Sequence, residues 1–148
     1  MSTYTQILYQ IVFSTKNREQ TLDKNNQKEL YQYIWGVLKN KNCHLYQIGG
    51  VTDHIHILTH LHPSISLSSL VKDVKLSSSE IIKAHNIFPE FAGWQEGYGA
   101  FTYSIKEKDS LIKYIKNQEE HHLNKSFKEE YIELLRAHQI EFDEKYLL

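Results

Sequence analysis

Two hydrophobic periodicities alternate along this chain, and their order constrains its fold more than any other feature. In four stretches apolar side chains recur at every second position, which predicts β-strands. In other stretches they recur every three to four residues, which predicts amphipathic helices. The predicted strands cover residues 4–15, 43–50, 51–61 and 98–105. The predicted helices cover residues 23–40, 66–85 and 109–122, and a last apolar stripe covers residues 127–138.

The resulting order is β-α-β-β-α-β followed by two helices. This order predicts an α+β, ferredoxin-like (RRM-like) fold, in which two helices pack on one face of an antiparallel sheet. The opposite face is left for the later helices or for a ligand. We expect a single domain over residues 1–148, with a core at residues 1–123 and a helical tail at residues 124–148.

Capping residues and turns indicate where these elements begin and end. Asp23 is the expected N-cap of the first helix. Ser64 or Ser66 is expected to cap the second helix, and Asp109 or Ser110 the third. The turn between the second and third strands has two candidate positions, Gly49-Gly50 and Thr52-Asp53.

The third predicted strand carries two histidines that can hold one metal ion. In its alternating pattern Ile55 and Ile57 face the helices, whereas His54 and His56 face the other side of the sheet. Their Cα atoms lie roughly 7 Å apart in a strand, so both imidazoles can reach one ion. Most His-x-His pairs in strands bind no metal. A Cys/His zinc site is disfavoured because Cys43 is the only cysteine.

The third predicted helix places a phenol beside an amide. Tyr114 and Gln118 are four residues apart, so their side chains are neighbours on one shoulder of the apolar stripe. Packing is the ordinary role of a tyrosine at such a position. A phenol has a pKa of about 10 and needs help to act as a nucleophile at neutral pH. An ion held by His54 and His56 would polarise a phosphodiester, and Gln118 can add an oxygen ligand.

Composition and charge bound the class of protein without selecting one. No apolar run is long enough to cross a bilayer, and a cytoplasmic protein with no membrane association is expected. The net charge is −1, whereas nucleic-acid-binding domains commonly show a basic excess. The chain from residue 127 onward carries six acidic and three basic residues, which leaves the body slightly basic. Charge therefore neither supports nor excludes DNA binding.

Five segments, taken in order, carry a family resemblance. They are residues 9–16 (YQIVFSTK), 53–57 (DHIHI), 70–79 (LVKDVKLSSS), 94–98 (WQEGY) and the pair Tyr114-x-x-x-Gln118. With them the chain resembles the single-tyrosine transposases of the HUH superfamily. These enzymes move small insertion sequences of the 200/605 type, and their kin are associated with repetitive extragenic palindromes.

The resemblance implies a DNA transposase and single-strand endonuclease that cleaves and rejoins single-stranded DNA at hairpin-marked ends. Tyr114 would attack the DNA, keep the 5′ phosphate as a phosphotyrosine and free a 3′ hydroxyl. His54, His56 and Gln118 would bind Mg or Mn, and two imidazoles suit Mn better. A homodimer is also implied, in which the tyrosine helix can complete the partner's site, with no small-molecule cofactor.

Basic residues near these motifs are the expected DNA contacts, although a solvated surface charge is the alternative for each. They are Lys16, Arg18, Lys72, Lys75, Lys83, Lys113 and Lys116. Of these, Lys113 and Lys116 flank Tyr114 and are expected to meet the scissile strand. Trp94, Tyr98 and Phe101 are aromatic side chains that can stack on bases or pack internally.

Two other functions are compatible with the sequence. One is a domesticated HUH nickase with the same chemistry and no mobility. The other is a non-catalytic, RRM-like binder of single strands that uses the free sheet face and needs no metal. The aromatic signature of RRM domains is absent from the central strands, and histidines occupy that face instead. The sequence therefore favours the enzyme.

Overall fold

The computed structural model describes residues 2–147 and confirms the ferredoxin-like arrangement. One sheet is formed by β1 (Leu8–Ser14), β2 (Leu45–Gly50), β3 (His54–His60) and β4 (Gly99–Tyr103). All neighbouring strands are antiparallel, and their order across the sheet is β2-β3-β1-β4. The histidine strand β3 therefore lies in the centre of the sheet, next to β1.

The helices divide between the two faces of this sheet. They are α1 (Gln27–Asn40), α2 (Leu67–His85), α3 (Lys108–Lys116), α4 (Gln118–His121) and α5 (Phe127–Ala137). On one face, α1 and α2 pack on the apolar side chains of the central strands. Ile55 and Ile57 belong to this main core, as the alternation of β3 predicts. None of the helices in residues 2–147 is long and apolar enough to span a membrane.

The opposite face of the sheet is covered by the later helices, which is one of the two predicted outcomes. Leu58 of β3 packs with Leu111 and Ile115 of α3. Farther along the face, Val12 of β1 packs with Phe127 of α5. Burying each of these side chains contributes about 1.5–3 kcal/mol.

Two glycines let these helices approach the sheet closely. A Cβ atom at Gly49 of β2 would lie 2.5 Å from the carbonyl oxygen of Ile115 in α3. A Cβ atom at Gly99 of β4 would lie 2.6 Å from Cε1 of Tyr131 in α5. Real Cβ atoms do not approach other atoms so closely, so a side chain at Gly49 would push α3 away from the sheet, and one at Gly99 would displace the Tyr131 ring.

One predicted helix cap is confirmed, and another is displaced by one short turn: Asn26 is the N-cap of α1, and Asp23 caps the turn before it. The Asp23 side chain accepts a hydrogen bond from the amide of Asn25, in a 3-10 turn that leads into α1. Of the two candidate serines before α2, Ser66 is the N-cap, and its side chain accepts from the amide of Ser69. The turn before β3 falls at residues 51–53, which matches the second predicted position.

The predicted start and length of the third helix were wrong. Asp109 and Ser110 lie inside α3, because Ser104 and Glu107 form a capping box that starts a 3-10 turn before it. The helix also does not continue to residue 122. It ends at Lys116, and Asn117 leaves helical geometry (φ −95°, ψ 20°) before α4 begins.

Candidate functional site

The structure brings the four sequence-predicted site residues together in one chain. His54 and His56 project from β3 toward α3, α4 and α5, and both are fully buried. Nε2 of His54 lies 3.0 Å from Oε1 of Gln118. The ring of Tyr114 packs edge-on against the ring of His56, with 5.8 Å between centroids. The strand pair and the helix pair therefore form one cluster beneath the later helices.

Two further residues that the sequence patterns do not mark as site residues belong to this cluster. Glu130 of α5 is fully buried, and its Oε1 lies 3.0 Å from Nε2 of His56 and 3.3 Å from Nε2 of His54. His122 follows α4, and its Nε2 lies 3.0 Å from the same oxygen. One signal was present for Glu130: it lies three residues after Phe127 and four before Leu134, on the apolar face of a predicted helix.

Each of the three imidazoles has an oxygen acceptor at its other ring nitrogen. His54 Nδ1 lies 2.7 Å from Oδ1 of Asp53, and His56 Nδ1 lies 2.7 Å from Oε1 of Gln10. His122 Nδ1 lies 2.6 Å from the carbonyl oxygen of Lys125. When the Nδ1–H groups donate to these oxygens, the three Nε2 lone pairs are free to bind a cation. Such outer hydrogen bonds are usual for histidines that ligate metals.

The cluster fits a divalent cation. Ligand atoms of His54, His56, His122 and Glu130 all lie within 4.8 Å of one another. The Nε2 atoms of His54 and His122 lie 3.0 Å from Oε1 of Gln118. The Nε2 atoms of all three histidines lie 3.0–3.3 Å from Oε1 of Glu130. Adjacent ligands around one ion, with bonds of about 2.1 Å at right angles, would be about 3.0 Å apart. Several lone pairs directed at one point repel each other unless positive charge lies between them, so the donor set is suited to a metal ion.

Burial and hydrogen bonding shift the pKa values of these groups in opposite directions. Burial would lower the pKa of His54, but its contacts with Asp53 and Glu130 outweigh burial and raise the pKa to about 9. Burial lowers the pKa of His56. For Glu130, burial would raise the pKa, but hydrogen bonds from the imidazoles outweigh it and hold the pKa far below its usual range. Both shifts favour negative charge on Glu130 and positive charge beside it, and a bound cation would supply that positive charge.

Tyr114 contacts the cluster through its hydroxyl group. The hydroxyl donates a hydrogen bond to Oε2 of Glu130, and Nε2 of Gln118 donates to the same oxygen at 3.0 Å. Burial and the charge of Glu130 raise the pKa of the Tyr114 phenol. Tyr114 is half-buried and borders a cleft of about 410 Å³ between α3 and α5, which is also lined by Gln10 and Tyr103. The cleft gives a ligand a route to the phenol.

The basic residues proposed as DNA contacts lie in different settings. Lys113 and Lys116 are exposed on α3, on either side of Tyr114, and Lys16, Lys72 and Lys83 are also exposed. Arg18 is partly exposed. Lys75 is engaged already: its ammonium donates to the carbonyl oxygens of Gln95 (2.8 Å) and Gly97 (2.6 Å). These two hydrogen bonds connect α2 to the loop before β4. Contact of these residues with DNA stays a prediction.

The three candidate stacking residues also differ in their surroundings. Phe101 is buried in the sheet face beneath α5. Trp94 packs edge-on against Phe13 and donates from Nε1 to the Ser78 hydroxyl at 2.9 Å. Tyr98 is the exposed member of the three, with 37% of its surface accessible. Internal packing thus accounts for Phe101 and Trp94, and Tyr98 alone of the three presents a ring to a ligand.

Comparison with known proteins assigns the family. The family model described as "Transposase IS200 like" matches residues 3–118. Among curated proteins, none matches the chain. Two solved structures share the fold, each with a TM-score of 0.62. One is a candidate transposase from Deinococcus radiodurans R1, 23% identical, with coverage of 80% of this chain and 95% of that one. The other is a REP-associated tyrosine transposase bound to a REP hairpin, 17% identical, with coverage of 82% and 74%.

The match spans most of the chain and includes the histidine pair of β3, Tyr114 and Gln118. It confirms the resemblance found in the sequence. His122 and α5, which supply the remaining members of the cluster, lie beyond it. The chain belongs to the family of IS200-like transposases.

Proposed function

We propose that this transposase cleaves and rejoins single-stranded DNA with Tyr114 as the nucleophile. His54, His56 and Gln118 would hold a divalent ion, Mg or Mn. One observation carries the proposal: the Tyr114 hydroxyl and the imidazole Nε2 of His56 contact the two oxygens of one buried carboxylate, Glu130. The Glu130 carboxylate thus links the phenol to the converging side-chain atoms that can bind a metal ion.

The reaction follows from the groups that surround the phenol. A phosphodiester that enters the cleft between α3 and α5 reaches the Tyr114 oxygen. That oxygen attacks phosphorus, a Tyr114–phosphorus bond forms, and the bond from phosphorus to the 3′ oxygen breaks. Glu130 accepts a hydrogen bond from the phenol and orients it, while solvent in the cleft takes up the phenol proton as the oxygen attacks. The departing 3′ oxygen takes up a proton from solvent and becomes a 3′ hydroxyl. The ion, when bound, polarises the phosphate and stabilises the leaving oxygen.

Rejoining is the reverse of this step with a different 3′ end. The 5′ phosphate remains on Tyr114 as a phosphotyrosine, and the energy of the broken ester is kept in the new bond. A 3′ hydroxyl from another DNA end attacks the phosphotyrosine and releases Tyr114. No external energy source is needed.

We propose hairpin-marked single-stranded DNA as the substrate. The structural neighbour associated with REP sequences was solved with a REP hairpin, which supports this class of ligand. Lys113 and Lys116 are exposed beside Tyr114 and are suited to bind the phosphates that flank the scissile bond. We also propose a homodimer that holds two DNA ends. Each subunit would carry a complete site, because Tyr114 lies beside His56 of its own chain.

A non-catalytic RRM-like binder is disfavoured by the fold. Such a protein would hold bases on the free face of its sheet. Here α3 and α5 cover that face, and the two histidines on it are fully buried. Single strands would have to displace two packed helices before they reached the sheet.

The proposal is tested with labelled hairpin oligonucleotides and Mn. We expect a protein–DNA adduct that survives denaturation, and we expect Tyr114→Phe and His56→Ala to lose it. Tyr33→Phe, a change on the exposed side of α1, is the matched control and should form the adduct normally. An adduct with Tyr114→Phe, or DNA binding with no adduct and no dependence on metal, would contradict the proposal.

A further inference from the structure

We propose that His122 and Glu130 are additional ligands of the ion, supplied by the segment that follows the family's matched region. This inference rests on the metal site proposed above. The family match ends at residue 118, at the last of the three ligands that the family resemblance implies. His122 and Glu130 therefore belong to a part of this chain that the match does not describe.

His122 is placed and oriented as a ligand. Its Nε2 lies 3.0 Å from Oε1 of Gln118 and 3.0 Å from Oε1 of Glu130, on the same side as the Nε2 atoms of the β3 pair. Its Nδ1 faces the Lys125 carbonyl oxygen, which can only accept a hydrogen bond. That contact places the proton on Nδ1 and leaves the Nε2 lone pair directed into the cluster.

The two carboxylate oxygens of Glu130 contact different sets of side chains. Oε1 faces the three imidazoles, at 3.0 Å from His56 and His122 and 3.3 Å from His54. Oε2 accepts hydrogen bonds from Tyr114 and Gln118. A carboxylate with no solvent exposure is costly unless it is paired with positive charge. A cation bound through Oε1 provides that charge and leaves Oε2 free to hold the phenol.

The local structure of α5 delivers Glu130 to this position. Ser126 and Glu129 form a capping box that starts the helix at Phe127. The Phe127 ring stacks on the His54 ring, with 4.3 Å between centroids and 23° between planes. This stacking fixes the first turn of α5 on the metal side of the sheet, and Glu130 follows one turn later on the same helix face.

The enlarged donor set selects a class of ion. Three imidazoles, one carboxylate and the amide oxygen of Gln118 favour Mn, Fe, Co or Zn, whereas Mg prefers oxygen ligands and keeps several waters. The donor residues have little or no solvent exposure, so the site suits an ion that gives up most of its water. We therefore expect Mn to bind this protein much more tightly than Mg.

Metal binding and docking of α5 must then be linked. An ion that gains a ligand from α5 binds the docked arrangement more tightly than any arrangement without it. Mn should therefore slow hydrogen exchange of the α5 backbone amides. This effect needs no DNA and no turnover, so it is measured independently of activity.

The test is a Mn titration of the ion-free protein by calorimetry, with exchange of α5 amides as a second measurement. We expect Glu130→Ala and His122→Ala each to weaken Mn binding by about tenfold or more. Glu130→Gln, which preserves shape and fold, should weaken it in the same direction. Glu133→Ala removes an exposed acid one turn farther along α5 and should bind Mn like the wild type. Mn should protect α5 in wild type and Glu133→Ala, and protect it less in both Glu130 variants.

The possible outcomes separate this inference from the proposed function. If wild type binds Mn, His56→Ala does not, and both Glu130 variants bind as tightly as wild type or more tightly, the inference is overturned. Glu130 would then occupy the place of the ion instead of binding it. If wild type binds no divalent ion, the metal site of the proposed function fails as a whole. Loss of affinity in the Glu130 and His122 variants, with normal binding by Glu133→Ala, supports the inference.

Discussion

Gln10 offers a sharp test of how the site is held together, because it contacts the cluster only through the outer nitrogen of one histidine. It is fully buried on β1, and its Oε1 accepts a hydrogen bond from Nδ1–H of His56 at 2.7 Å. Its Nε2 donates to the Tyr103 hydroxyl at 2.8 Å. Gln10→Leu keeps a side chain of similar size and removes both contacts.

The size of the effect follows from what Gln10→Leu leaves unpaired. The Nδ1–H group of His56 would be buried without an acceptor, which costs about 1–3 kcal/mol of unfolding free energy. The alternative tautomer, with the proton on Nε2, would direct a hydrogen atom at the ion. Loss of such an outer hydrogen bond typically weakens metal binding by about 10–100-fold. The same change therefore lowers stability and metal affinity together.

The assay combines urea unfolding of the ion-free protein with a Mn titration. Gln10→Glu should rescue Mn binding, since a carboxylate also accepts from Nδ1–H. Gln47→Leu is the control, because the Gln47 amide donates only to a neighbouring backbone carbonyl, that of Ile48. If Gln10→Leu folds and binds Mn as tightly as the wild type, His56 does not bind the ion in the orientation described.

Three more predictions test separate parts of the structure. Gly49→Ala should push α3 away from β2, lower the free energy of unfolding by about 1–3 kcal/mol in urea melts and weaken Mn binding. Gly36→Ala is the control and should not destabilise the protein, because Gly36 has open space around its Cβ position in the described chain. If Gly49→Ala is as stable as the wild type, α3 does not approach β2 as closely as described. A chelator should lower the melting temperature of the wild type and leave that of His56→Ala unchanged; equal shifts in both would argue against the site. The double variant Lys113→Gln, Lys116→Gln should weaken hairpin binding and retain Mn binding. It should also reduce the slope of log affinity against log salt concentration by about 2. An unchanged slope would show that these lysines do not contact the DNA.

Local patterns account for what the sequence could predict. Alternation in β3 placed Ile55 and Ile57 toward the main helices and His54 and His56 on the opposite face, and the structure agrees. The spacing of four residues made Tyr114 and Gln118 neighbours, although the helix breaks between them at Asn117. These predictions depend on geometry within a single element, which short-range sequence signals describe well.

Glu130 and His122 could not be located in this way, because their positions depend on how separate elements pack. Glu130 reaches the site only because α5 folds back over the sheet and Gly99 leaves room for Tyr131. His122 faces the site because the helix stops at Asn117 and restarts, which changes the direction of the residues that follow. A glutamate on an apolar helix stripe was the signal available, and it indicates a buried partner without identifying one.

The central claim is that Tyr114, among ten tyrosines, forms the bond to DNA. The most direct measurement is mass spectrometry of the adduct formed with a hairpin oligonucleotide and Mn, after digestion of both protein and DNA. We predict a nucleotide 5′ phosphate on the peptide that contains Tyr114 and on no other tyrosine peptide. A phosphorylated nucleotide on any other residue, with an unmodified Tyr114 peptide, would contradict the account.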